Sequence, residues 1–348
     1  MSAIHESRRA LLAALLAEHD VDALLVTRGV NVRYLTGLVS SNAAVLVRAD
    51  ATALLATDSR YIETARRVCD GVEVADRRDP AAALMEAAER PGIEAHVMSV
   101  AQYRRLGEPV ALEGLVERLR VVKDETEIQA LRSACELTDQ AFADVTATLA
   151  AGMTERQVAR ALESRMTELG ADRPAFDSIV ASGPNGSVPH HAPSDRPIER
   201  GDLVTMDFGA LYEGYHADMT RTVAVGAVAG WQRELYDLVR QAQRAGRRAL
   251  APGASTAEVD AAARDVIEDA GYGGHFGHGL GHGVGLEIHE DPFLRATGAG
   301  RLEDRVPITV EPGVYLPGRG GVRIEDTLVT RTDGPELLTR TTKELLVL

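Results

Sequence analysis

The chain has 348 residues, 45% hydrophobic and 26% charged. That balance belongs to a soluble globular protein with room for two domains, and it excludes a disordered chain. Lys and Arg total 38 against 52 Asp and Glu, for a formal net charge of −14, which argues against general binding to nucleic acid or to an anionic membrane surface. Small or peptide-like substrates and divalent cations suit it better.

Residues Ser7 to His19 read as an amphipathic helix. Its apolar run, Leu11 to Ala17, is too short to span a membrane and no small-residue cleavage site follows it. The cytoplasm is therefore the expected compartment. Short apolar runs at Asp22–Thr27, Ala43–Val47 and Ala53–Ala56 predict buried strands. Helices are expected at Arg60–Val68 and at Pro80–Ala88, where Pro80 suits the first turn. Strands mixed with helices predict a small α/β domain over residues 1–119. Glycines 29, 37 and 71 are too scattered to form a phosphate loop, and Cys69 and Cys135 form no motif and imply no disulfide framework.

The character changes between Leu115 and Asp124, which places a boundary near 120 and a second domain over 120–348. Asp124, followed three residues later by Glu127, is a capping box for a long helix reaching about Leu149. Ile128, Leu131, Ala134, Cys135 and Thr138 are spaced for one face of it. Thr154 caps the next helix, which turns Val158, Leu162 and Met166 inward. The stretch Leu149-Ala150-Ala151-Gly152-Met153-Thr154 with Val158 recurs as Leu250-Ala251-Pro252-Gly253-Ala254-Ser255 with Val259. In both copies a long helix precedes, a second helix follows, and a β-rich, acid-bearing region comes later. The pattern predicts two related halves facing each other across a cleft.

Each half carries an acidic pair. Asp207 (L-V-T-M-D-F-G-A) and Asp218 (A-D-M-T-R-T) lie on runs that read as strands, and a turn over Leu211–Gly214 would make them direct cross-strand neighbours within about 5 Å. Glu311 (I-T-V-E-P-G-V-Y) and Glu325 (V-R-I-E-D) flank Pro317-Gly318-Arg319-Gly320-Gly321, and a hairpin centred on Gly318 sets them opposite one another. Carboxylates held so close repel unless a proton or a cation lies between them. Between the hairpins in sequence lies His275–Glu290, H-F-G-H-G-L-G-H-G-V-G-L-E-I-H-E, with four of the ten histidines and five glycines. A merely polar loop is the simpler account of that stretch, but two acidic pairs appointed to one place outweigh it. Four carboxylates with one or two imidazoles make a hard site for two divalent metals; manganese or iron suits it, with zinc and cobalt open.

The motif His278–Glu290, together with D-F-G, A-D-M-T-R-T, V-E-P-G-V-Y and V-R-I-E-D, resembles the pita-bread metallopeptidases of the proline-specific branch, over the whole of 120–348. These are the Xaa-Pro dipeptidases (prolidases) and the Xaa-Pro aminopeptidases (aminopeptidase P). Through N-V-R-Y-L-T-G and T-D-S-R-Y the first domain more loosely resembles the creatinase-type N-terminal domain. The resemblance implies an α+β fold, with a pita-bread domain of two pseudo-symmetric halves preceded by a small α/β creatinase-type domain. It implies Asp207, Asp218, His282, Glu311 and Glu325 as ligands for two divalent ions, manganese first, with cobalt, zinc or iron as alternatives. His190, His278 and His289 match the substrate-side histidines, and Arg323 and Tyr315 match positions supporting the metal centre.

The implied reaction is hydrolysis of the bond preceding proline at a peptide N-terminus, with Glu311 taking the water's proton and passing it to the proline nitrogen. Arg33 and Arg60 are candidate anchors for a dipeptide's C-terminal carboxylate, and a homodimer is expected. The compact first domain favours a dipeptidase. An aminopeptidase for longer peptides, a non-peptidase hydrolase or lyase, and a silent metal-binding module remain alternatives; a methionine aminopeptidase is disfavoured because that branch usually lacks the first domain.

Overall fold

The structure, a computed structural model, describes residues 2–348, which divide into two compact units either side of the Arg120–Val121 bond. In the first, strands β1 (Ala23–Val26), β2 (Ala43–Arg48), β3 (Ala53–Thr57), β4 (Glu73–Asp76), β5 (Pro91–Glu94) and β6 (Val110–Leu112) form one sheet in the order β4-β3-β2-β1-β5-β6. The three central strands pair antiparallel and the outer pairs are parallel. Leu24, Leu25, Val45, Leu46 and Val47 are all buried, so both faces of the central strands are covered; that is why these runs are continuously apolar rather than alternating.

Helices α1 (Ser2–Leu16), α2 (Gly29–Thr36), α3 (Ile62–Val68), α4 (Pro80–Met85), α5 (Val100–Arg105) and α6 (Leu115–Val121) connect the strands or flank them. The first helix begins and ends earlier than the apolar run suggests. Sequence reading also misses α2, α5 and β4 to β6. Their segments, such as E-V-A-D and P-G-I-E, mix charged residues, Gly and Pro with few apolar ones, so periodicity gives little signal.

The second unit opens at Asp124, whose carboxylate accepts from Thr126 N and Glu127 N while Glu127 reaches back to Asp124 N at 3.0 Å. Helices α7 (Glu125–Thr146) and α8 (Glu155–Glu168) belong to its first half, and α9 (Gly230–Ala249) and α10 (Thr256–Asp269) to its second. The repeat in sequence is a repeat in hydrogen bonding. Gly152 N donates to Ile198 O at 2.9 Å, as Gly253 N does to Leu302 O at 2.7 Å. Ile198 N then returns to Met153 O at 2.8 Å, as Leu302 N returns to Ala254 O at 2.9 Å. Each half buries its own core, around Phe142, Val158, Leu162 and Met206 in one and Val239, Val259, Leu280 and Ile308 in the other.

The first half's strands are β7 (Arg173–Pro174), β8 (Ile179–Ser182), β9 (Leu203–Phe208), β10 (Ala210–Tyr212), β11 (Tyr215–His216) and β12 (Met219–Ala224). The hairpin turns at Glu213-Gly214, both in the left-handed region with φ 47° and 76°, leaving Tyr212 paired with Tyr215. Such a two-residue turn matches the strand twist. It corrects the expected pairing: Asp207 faces Thr220, not Asp218. The shift is two residues, so Asp218 stays on the face of Asp207 as its diagonal neighbour.

The second half's strands are β13 (Gly281–Gly283), β14 (Glu290–Leu294), β15 (Pro307–Val310), β16 (Gly313–Leu316), β17 (Gly320–Arg323), β18 (Asp326–Val329) and β19 (Glu336–Leu337). Here Val310 pairs with Asp326 and Gly313 with Arg323, so one register runs through both ladders and sets Glu311 opposite Glu325 about Gly318. Among the described residues no helix is long and apolar enough to cross a membrane.

Candidate active site

All ten candidate side chains of the second unit line one cleft of about 910 Å³. At its floor Asp218, His282 and Glu325, all buried, bring ligand atoms within 4.8 Å of one another. His282 comes from β13, where Gly281 lets the strand approach its neighbour: a Cβ there would lie 2.0 Å from the Thr309 carbonyl oxygen. His282 Nδ1 is 3.0 Å from the Gly283 carbonyl, which can only accept, so Nδ1 carries the hydrogen. Burial lowers the ring's pKa to about 4, so the imidazole is neutral and Nε2 carries a lone pair.

That lone pair faces Asp218 Oδ2 at 3.5 Å and Glu311 Oε1 at 3.4 Å. Acceptor facing acceptor is a repulsive arrangement unless a proton or a metal cation lies between. Two further buried oxygens, Asp207 Oδ1 and Glu325 Oε1, have no hydrogen-bond partner. Burial, followed by repulsion from Asp207 and Glu311, raises the pKa of Asp218 far above its ordinary value; burial and then Asp218 do the same to Glu325. Burial also raises Glu311, with Arg323 opposing. The donor set fits divalent cations: several oxygens, one imidazole, no thiolate.

Arg323, buried on β17, ties the acids together. It donates to Asp207 Oδ2 at 2.6 Å, the Tyr315 hydroxyl at 2.8 Å and Thr220 Oγ1 at 3.1 Å. Thr220 in turn donates to Glu325 Oε2 at 2.7 Å. His278 has both ring nitrogens engaged, Nδ1 with Gly279 O at 2.8 Å and Nε2 with the Tyr315 hydroxyl at 2.9 Å. Burial brings its pKa down to about 4. His289 packs edge-on to His282, ring centroids 4.5 Å apart, and is exposed, as is His190. Phe293 pairs with His282 across β13 and β14 and lies along the same wall, with exposed Arg295 just beyond.

The other two candidates belong to the first unit. Arg60 is committed to Asp58, donating to Oδ1 at 3.0 Å and to Oδ2 at 2.7 Å, and Arg33 lies on α2. His275 Nδ1 meets the main-chain carbonyl of Tyr315 at 3.1 Å.

Sequence reading misses the buried charges that hold the site-bearing loops. Glu155 accepts from Ser182 N at 2.7 Å, Asn185 Nδ2 at 2.9 Å, His191 Nε2 at 2.8 Å and Ser194 Oγ at 2.6 Å, so one carboxylate gathers the loop that carries His190. Lys123 and Glu290 form a buried pair at 2.7 Å next to His289. Arg221 donates to the Glu325 carbonyl and to Asp326 Oδ1 at 2.8 Å. A single charged residue on a polar helix or strand looks solvent-facing in sequence, and only its partners, distant along the chain, show otherwise.

Residues 129–332 match the model of metallopeptidase family M24, and residues 8–122 match that of the creatinase/prolidase N-terminal domain. The Xaa-Pro dipeptidase of Pyrococcus furiosus is 37% identical over 96% of this chain and 98% of its own length. The structure of a Xaa-Pro dipeptidase from Bacillus anthracis superposes with a TM-score of 0.95 at 36% identity, covering 99% of this chain and all of that one (100%). An X-Pro aminopeptidase from Thermotoga maritima gives 0.88 at 35% identity, covering 95% of this chain and 99% of that one. A family model spanning more than half the chain, over the pita-bread unit that carries the acidic hairpins and the histidine strand, makes this protein a member of metallopeptidase family M24.

Proposed function

We propose that the protein is a metal-dependent exopeptidase that hydrolyses the Xaa-Pro bond at the N-terminus of short peptides, with Xaa-Pro dipeptides as preferred substrates. One observation carries the reading: a neutral His282 faces Asp218, Glu311 and Glu325 in a cleft also lined by His190, His278 and His289. Relatives named as Xaa-Pro dipeptidases support the choice of proline. Exposed Arg160 and Arg295 on the cleft wall suit the carboxylate of a short substrate; of the two first-unit candidates Arg33 stays a proposal, whereas Arg60 is taken up by Asp58.

Asp207, Asp218, His282, Glu311 and Glu325 would hold two divalent ions, manganese first, with cobalt, zinc or iron as substitutes. Bound there, such ions supply Lewis acidity that polarises a carbonyl and makes water acidic near neutral pH. Glu311 takes the proton of the attacking water and delivers it to the proline nitrogen as the C–N bond breaks. The prolyl nitrogen is tertiary and has no N–H, so the delivered proton turns it into a leaving amine. His289 and His190 donate to the carbonyl oxygen as it gains charge, a contribution of roughly 3 kcal/mol per donor. His278 acts through Tyr315, holding its hydroxyl and through it Arg323.

The test is a protein stripped with chelator, reconstituted with Mn²⁺, Co²⁺, Zn²⁺ or Fe²⁺, and assayed on Xaa-Pro, Xaa-Pro-Yaa and Xaa-Ala peptides. Efficient Xaa-Pro cleavage with poor tripeptide cleavage is expected. The reverse preference assigns the aminopeptidase activity that the Thermotoga maritima likeness favours. Activity that survives chelation overturns the metal-dependent reading, and silence with every metal leaves a binding module. A homodimer in the cytoplasm is the assembly we propose on the resemblance; sedimentation at micromolar concentration tests the dimer.

A further inference from the structure

The segment Gly277–Gly283 carries His278 and His282 with glycine at every second position, so few of its side chains can fasten it. Gly279 and Gly281 have no room for one, because a Cβ would lie 2.6 Å from the Leu294 carbonyl oxygen and 2.0 Å from that of Thr309. The segment has to be held by its main chain. Two residues of α10, one helical turn apart, hold it there.

Asp260 is fully buried. Its Oδ2 accepts from Arg264 Nε at 2.7 Å, and its Oδ1 accepts from Arg264 Nη2 at 2.9 Å and from Leu280 N at 3.0 Å. The guanidinium, braced by that carboxylate, donates to Phe276 O at 3.0 Å and to His278 O at 2.7 Å. It also lies 4.2 Å from the centroid of the Phe276 ring, against whose edge His278 packs at 5.0 Å. The hold continues past Leu280, whose carbonyl accepts from Glu311 N at 2.8 Å. One carboxylate–guanidinium pair thus grips three main-chain atoms, one at Phe276 just before the histidine segment and two within it. Through the Leu280 peptide it also reaches the strand end that presents Glu311.

We infer that Asp260 and Arg264 are a positioning pair for the candidate metal centre, acting as one unit to set the His278–His282 segment against Glu311. Neither side chain lines the cleft, so neither touches substrate. The inference rests on the proposed metallopeptidase reading for its kinetic arm only. Outer residues that orient ligands typically account for 10–100-fold in metal affinity or activity. Residues acting as one unit are non-additive when removed together.

The experiment compares wild type with Asp260→Asn, Arg264→Lys and the double variant. It measures Mn²⁺ dissociation constants by calorimetry, the visible spectrum of the Co²⁺-loaded protein, and kcat and KM on Xaa-Pro. Thermal melting of the metal-free proteins reports folding. The expected result is a 10–100-fold weaker Mn²⁺ affinity and a changed Co²⁺ spectrum in each single variant, a matching fall in kcat with little change in KM, and a double variant no worse than the poorer single one.

Unchanged Mn²⁺ affinity and Co²⁺ spectrum in the folded variants would overturn the inference, even if melting temperature fell, because the pair would then be structural alone. Fully additive losses would overturn the claim that the two act as one unit. Arg264→Lys keeps the charge and loses the fork, so it supplies a folded variant if Asp260→Asn does not fold. If wild type bound Mn²⁺ but cleaved no Xaa-Pro peptide, the functional reading would fail while the affinity and spectral arms still decided the positioning role.

Discussion

Arg323 donates to Asp207 at 2.6 Å, so a guanidinium from the second acidic hairpin holds a carboxylate of the first. Both hairpins reach the cleft, and this ion pair joins them across the two halves of the pita-bread unit. Replacing Arg323 by Ala leaves Asp207 without its charged partner and frees Tyr315 and Thr220. We expect the metal-free variant to lose about 3–5 kcal/mol of stability, as for other broken buried pairs. Urea unfolding of both proteins measures it, and a loss below about 1 kcal/mol would show that the pair carries little of the fold.

Glu311 sits 3.4 Å from His282 Nε2 and opposite Glu325 in register. Substituting Glu311→Gln preserves its shape and removes its basicity. The expected outcome is a fall in kcat on Xaa-Pro substrates of about 10²–10⁴-fold, the usual scale of general acid–base catalysis, with an unchanged circular dichroism spectrum. Retention of wild-type kcat would remove Glu311 from the proton-transfer role.

Removing metal should destabilise the second unit, because Asp207 Oδ1 and Glu325 Oε1 are buried without partners and Asp218 and Glu325 repel. A ligand at 100 times its dissociation constant stabilises the folded state by about 2.7 kcal/mol. For a unit of this size that corresponds to a melting temperature roughly 5–10 °C higher with Mn²⁺ than with chelator. Calorimetric scans with and without chelator test this, and superimposable scans would contradict a cation site here.

Glu155 predicts the acid limb of stability. Burial raises its pKa, but hydrogen bonds from Ser194, Asn185, His191 and Ser182 outweigh burial and bring it down to about 2 from an ordinary 4.5. A carboxyl whose pKa is lower when folded contributes stability above its unfolded value and loses it as pH falls. The wild type should therefore lose this contribution between pH 4.5 and about 2. Glu155→Gln should be less stable at neutral pH by about 1–3 kcal/mol and should lack that part of the acid dependence. Parallel pH dependences in the two proteins would show that Glu155 does not titrate as described.

Local chemistry in the chain announces much of the site. Asp124 and Glu127 specify a helix start within four residues, and the Pro317–Gly321 turn sets the register in which Glu311 stands opposite Glu325. The Gly/His stretch marks itself because neither residue type builds an apolar core. The Asp207 hairpin shows where this reasoning stops. Its length admits two turns, and only the left-handed conformation of Glu213-Gly214 selects the register that puts Asp207 opposite Thr220. Arg33 and Arg60 mark a second limit, because a cation's role depends on what it meets, and Arg60 meets Asp58.

What the sequence alone determines is therefore the types of the candidate ligands, their order along the chain and the recurrence of one motif in two halves, since each is read from short local motifs. The tertiary structure decides which ring nitrogen of His282 faces the carboxylates, that His278 is bound to Tyr315, and that Glu155 and Asp260 are buried anchors, with half-buried Arg264 braced against Asp260. Those outcomes depend on which groups the fold brings together, several of them from segments tens of residues apart, and a buried charge is stable only where such partners converge on it.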